Sequence, residues 1–194
     1  MNDFSLYFGL GLEHILDLQG YDHILFVSVL CGIYLFSDWQ KILVLVTAFT
    51  IGHSITLILS VFEKIQVSVG WIEFLIPVTI MFTAISNLIS VNKVASIKVR
   101  NYGLTLLFGL IHGLGFSFYL KSLLGRNANI LLELLAFNVG LEVGQILIVI
   151  FVLLFSYLVV NRLKVSQRNW NILLSSLILV VSLYMAIERL RELL

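Results

Sequence analysis

ILLELLAFNVGLEVGQILIVIFVLLFSYLVV, from Ile130 to Val160, is a single apolar run too long for the core of a small soluble protein. About 20 apolar residues carry a helix across the hydrocarbon core of a bilayer. This run exceeds that length, so it reads as a tilted crossing or as one that starts in an interfacial segment. Working outward, five more apolar stretches appear: Tyr21–Phe36, Gln40–Phe62, Trp71–Val91, Asn101–Leu123 and Trp170–Arg189. The first is short for a span. Ahead of it, Phe4–Leu18 mixes apolar and acidic residues and is expected to lie at the interface or to re-enter among the helices.

Composition agrees. The chain has 194 residues, of which 60% are hydrophobic and 12% charged. Soluble domains carry about a quarter charged residues, and so few here cannot cover a water-facing surface. The expected fold is all-α: a polytopic membrane protein, one transmembrane domain over residues 1–194. About six helices cross the lipid bilayer after the short N-terminal segment. A net charge of +1 provides no broad basic face, which argues against nucleic acid as a partner. The single cysteine, Cys31, cannot form an internal disulfide. Met1–Leu12 lacks the basic start of a signal peptide. Pro77 is placed to kink the third span or to end its first turn. No internal repeat stands out.

The basic residues suggest an orientation. With the N-terminus outside, the inner segments hold Lys41, Lys93, Lys98, Arg100, Arg162, Lys164 and Arg168. The outer ones hold Lys64, Lys121, Arg126, Arg189 and Arg191. The bias is modest and favours both termini outside.

Ionisable groups within such spans carry the chemistry, because each costs at least a few kcal/mol unless paired, hydrated or liganded. Gly20-Tyr-Asp22-His23 opens the first span. Asp22 can cap that helix, or serve a metal beside His23 as ligand or as orienting carboxylate. His53 lies within the second span, with Thr50, Ser54 and Thr56 near it. Gly109-Leu-Ile-His112-Gly113 places a histidine between two glycines that admit another backbone. Asn138, Glu142 and Gln145 share one face of the fifth helix. Glu73, near the outer end of the third span, is an interfacial carboxylate or a further member of the site. For each of these groups, plain helix packing is the competing explanation. In the orientation above, the ionisable set falls between the outer surface and the bilayer middle. Imidazole with carboxylate suits borderline divalent ions such as Ni²⁺, Co²⁺ and Zn²⁺, and the lack of paired Cys or a Met cluster argues against Cu(I).

Four segments together resemble the HupE/UreJ family of hydrogenase- and urease-accessory membrane proteins. They are GLEHILDLQGYDHILF (Gly11–Phe26), VTAFTIGHSITL (Val46–Leu57), LFGLIHGLGFS (Leu107–Ser117) and LLAFNVGLEVGQ (Leu134–Gln145). The resemblance implies a six-helix bundle, nickel or cobalt permeation and metalloenzyme-maturation partners. It carries the functional positions onto His14, Asp22, His23, His53, His112 and Glu142. In one departure, the family pattern often has a His-Pro pair four residues before the Gly of its Gly-x-Asp-His motif. Here His14 precedes Gly20 by six residues and is followed by Ile15. The leading expectation is a permease rather than an enzyme, in a bacterial inner membrane. His14, Asp22 and His23 would form an outer entry, and His53, His112 and Glu142 a deeper site, with Glu73, Asn138, Gln145 and Ser54 in support. The alternatives are a membrane zinc hydrolase, a haem protein with His53 and His112 as axial ligands, and a purely structural or assembly protein. No Walker motif provides for ATP.

Overall fold

The computed structural model describes residues 3–18, 20–65, 67–90, 99–123 and 130–194. Lys93, Lys98 and Arg126, used above to orient the chain, lie outside them, as do the side chains of Arg100 and Lys121. The described residues form helices and no strand. These are α1 (Asp3–Leu16), α2 (Asp22–Cys31), α3 (Trp39–Val61), α4 (Val69–Ile89), α5 (Val99–Leu123), α6 (Ile130–Tyr157) and α7 (Gln167–Leu193). A π-helical turn, Leu158–Arg162, prolongs α6.

α3, α4, α6 and α7 are long and apolar enough to cross a membrane. α5 has 25 residues. The first expected span is different. α2 has only ten residues, about 15 Å at the helical rise, half a bilayer. Phe4–Leu18, expected at the interface or re-entering among the helices, supplies the regular helix α1, packed along α6. α1 and α2 together have the length of one crossing, interrupted between Leu16 and Asp22. With that pair counted as one broken helix, the bundle has six crossings. α4 runs through Pro77 as a continuous helix, so the proline neither ends it nor confines it to a first turn.

The most extensive contacts join α3 to α5, α1 to α6 and α4 to α7. The first two have the same construction. A methyl group on Gly109 would strike the Phe49 carbonyl, and one on Gly52 the Leu106 carbonyl. Likewise a methyl on Gly11 would strike the Phe137 carbonyl, and one on Gly140 the Phe8 carbonyl. Each pair runs parallel: α3 meets α5 first at Gly52–Leu106 and then at Thr56–Gly113, and α1 meets α6 at Phe8–Gly140 and then at Ile15–Gly144.

The correspondence extends to sequence. Ala48-Phe-Thr-Ile-Gly52 on α3 answers Ala136-Phe-Asn-Val-Gly140 on α6, and the interval from Gly11 to His14 on α1 repeats from Gly109 to His112 on α5. α3 and α6 themselves run antiparallel, since Thr50 bonds Gln145 while His53 lies against Phe137. α4 and α7 are antiparallel too, with Gly70 beside Leu193 and Glu73 beside Arg189. The chain is therefore two three-crossing halves, α1–α2/α3/α4 and α5/α6/α7, of opposite direction. This inverted repeat corrects the expectation of none.

Gly11→Ala and Gly109→Ala are each expected to lower the thermal unfolding midpoint in detergent, since overpacking costs about 1–3 kcal/mol. Gly9, which has nothing within 4 Å of an added Cβ, is the control. If Gly9→Ala destabilises equally, the close crossings are not what holds the halves together.

Candidate metal centre

The interruption of the first crossing lies beside the glycine crossings, and four elements deliver a histidine there. His14 comes from the last turn of α1 and His23 from the first turn of α2. His53 comes from α3 and His112 from α5. The ring of His23 is 3.9 Å from that of His112 and 4.6 Å from that of His14. His53 stands 6.4 Å from both His14 and His112. His53 is fully buried and His112 is 3% exposed.

Asp22 lies against two of the rings. It is the first residue of α2 rather than its cap, which is Tyr21. One carboxylate oxygen is 3.1 Å from His23 Nδ1 and the other 3.7 Å from His112 Nε2. That leaves His23 Nε2 and His112 Nδ1 buried with no hydrogen-bond partner, together with His14 Nε2 and both nitrogens of His53. An unsatisfied buried polar atom costs about 1–3 kcal/mol, so five at one place call for a ligand. A carboxylate that holds a histidine by one nitrogen and leaves the other for a metal is a recurrent arrangement.

The donor set fits. One ring nitrogen each from His14, His23 and His112 lie within 4.8 Å of one another. Donors around one tetrahedral ion sit about 3.4 Å apart at ordinary metal–nitrogen lengths, so small side-chain rotations would close the set. Among the described residues this is the one such group of three.

Of the other expected site residues, Asn138 faces His53 without a formed hydrogen bond and donates to the Leu134 carbonyl. Gln145 accepts from Thr50. Glu142 is not gathered with the histidines: it accepts from the Thr47 hydroxyl at 2.7 Å, on the seam between α3 and α6. Ser54 donates to the Thr50 carbonyl of its own helix. Glu73 pairs with Arg189 at 3.4 Å, between α4 and α7.

Phenylalanines wall the centre on two sides. One turn before His112 on α5, Phe108 stacks on Phe26 at 3.7 Å, with Phe49 5.5 Å away. One turn after His112, Phe116 lies 3.9 Å from His14 and stacks on Phe137 at 4.8 Å. A cavity of about 730 Å³ reaches His14 between Leu10, Glu13, Asp17 and Phe116. Sequence reasoning passed over this aromatic enclosure, because phenylalanine in an apolar helix carries no signal beyond hydrophobicity.

A helical bundle with buried imidazoles oriented by a carboxylate defines an integral membrane protein with a candidate transition-metal centre. A family model described as HupE / UreJ protein matches residues 1–189, and the chain belongs to that family. No curated protein and no solved structure matches it.

Asp22→Asn is expected to weaken Co²⁺ binding about 10- to 100-fold, the usual effect of losing a carboxylate behind ligating histidines. Titration of the visible Co²⁺ bands of purified protein checks this, and an unchanged affinity would remove Asp22 from the centre.

Proposed function

We propose that this chain is a divalent transition-metal permease that carries Ni²⁺, Co²⁺ or Zn²⁺ across a bacterial inner membrane, with both termini outside. The observation that carries the reading is the set of five buried imidazole nitrogens without partners, held next to a break in a membrane helix. Interrupted crossings are where transporters commonly hold ions, since irregular backbone at membrane depth requires protein or water around it. Imidazole donors suit borderline divalent ions. A transported ion must be held firmly enough to lose water and loosely enough to leave. Imidazole donors without thiolate meet both demands.

The family is one of hydrogenase and urease accessory proteins, which makes a nickel- or cobalt-dependent maturation route the setting for the cargo. In this reading the expected entry and deeper sites are one centre, His14, His23 and His112 with Asp22 and with His53 beside it, while Glu142 stands apart on Thr47.

The test is uptake of Ni²⁺, Co²⁺ and Zn²⁺ into proteoliposomes. His23→Ala and His112→Ala should reduce flux to the level of empty vesicles, and His53→Ala should reduce it strongly. Undiminished flux in His53→Ala and His112→Ala would refute the assignment. One tightly held, non-exchanging zinc per purified chain would favour a hydrolase instead.

A further inference from the structure

We infer that the histidine centre is served alternately from its two sides, by an exchange of roles between the α1–α2 arm and α5, so that the protein is a carrier and not a channel. This rests on the permease reading. It starts from the two inverted halves, whose close crossings are built from equivalent atoms. Equivalent halves of opposite direction can each adopt the conformation of the other, which produces a second state with access reversed.

The present state has the asymmetry that such an exchange requires. By the repeat, Leu10, Glu13 and His14 of α1 correspond to Phe108, Ile111 and His112 of α5. On α1 these positions are the more open: Glu13 is exposed, Leu10 and His14 are half-buried, and all three line the cavity. Their α5 counterparts are less open: Phe108 and His112 are buried, and Ile111 is half-buried.

Equivalent positions thus stand in two environments within one structure. Closure on the α5 side comes from Phe108 stacked on Phe26 beside Phe49. Phe49 has an equivalent in Phe137, which stacks on Phe116 at the other side of the histidines. Aromatic pairs therefore flank the histidines on two sides, Phe26–Phe108 on one and Phe116–Phe137 on the other, the second beside the cavity that reaches His14. In the exchanged state the Phe26–Phe108 stack separates, a cavity reaches His112, and the α1 cavity closes over His14.

Exchange kinetics and labelling test this. In proteoliposomes preloaded with unlabelled Ni²⁺, entry of radiolabelled Ni²⁺ should be several-fold faster than into empty ones, because a loaded carrier reorients faster than an empty one. In a Cys31→Ser background, Glu13→Cys and Ile111→Cys should react with a membrane-impermeant maleimide from opposite faces. Ni²⁺ on one face should raise one labelling rate and lower the other. Flux without acceleration by internal Ni²⁺, or labelling of both positions from the same face, would overturn the carrier inference while leaving the permease reading standing. Absence of Ni²⁺, Co²⁺ and Zn²⁺ flux under every condition would overturn both.

Discussion

Backbone contact between helices is the constraint on which this bundle depends. Within a bilayer, lipid tails satisfy apolar side chains as well as another helix does, so helices associate where small residues let their backbones meet. Gly52, Gly109 and Gly113 bring α5 onto α3, and Gly11, Gly140 and Gly144 bring α1 onto α6. The consequence is positional. A methyl on Gly113 would strike the His53 carbonyl, so the crossing that joins these helices also sets His53 and His112 across from one another. The matching crossing places His14 at the corresponding point of α1. With larger residues the pairs would separate and the imidazoles would no longer share one enclosure.

The break in the first crossing does the rest. A continuous helix from Asp3 to Cys31 would carry His14 and His23 on one rod, nine residues apart along its axis. Ending α1 at Leu16 and restarting at Asp22 folds that distance away, and their rings come to 4.6 Å. The backbone released at the break is put to use, since the Gly20 carbonyl lies 3.5 Å from His23 Nδ1. Asp22, at the positive end of α2, sits where a carboxylate is favoured by the free N–H groups of a first turn.

Much of this was legible in the sequence. Long apolar runs fixed the helices, because length and hydrophobicity act locally. The scarcity of ionisable residues in those runs made Asp22, His23, His53 and His112 conspicuous. What failed depended on partners. Ile24–Phe36 is apolar but for Ser28, yet the helix stops at Cys31, where Gln167 of α7 reaches the Gly32 and Tyr34 carbonyls. Asn138, Glu142 and Gln145 share a helical face as their spacing implies, but α3 sorts them: Thr47 takes Glu142, Thr50 takes Gln145, and His53 faces Asn138. The repeat was hidden because only short pieces such as Ala48–Gly52 and Ala136–Gly140 survive in sequence, and because one copy of the first helix is broken and the other continuous.

That last difference accounts for the composition of the centre. The repeat supplies histidines in equivalent places, His14 and His112, one from each half. A two-fold arrangement alone would stop at two such donors, too few for an ion stripped of its water. His23 and Asp22 have no counterparts, for they belong to the restart of α2, where α5 runs on unbroken. The interruption thus adds the third donor and the carboxylate that lies against two of the three. It also confines the irregular backbone to one half, while α5 keeps the continuous packing against α3 that anchors His112. Symmetry places the site between the halves, and its local breakdown completes the ligand set.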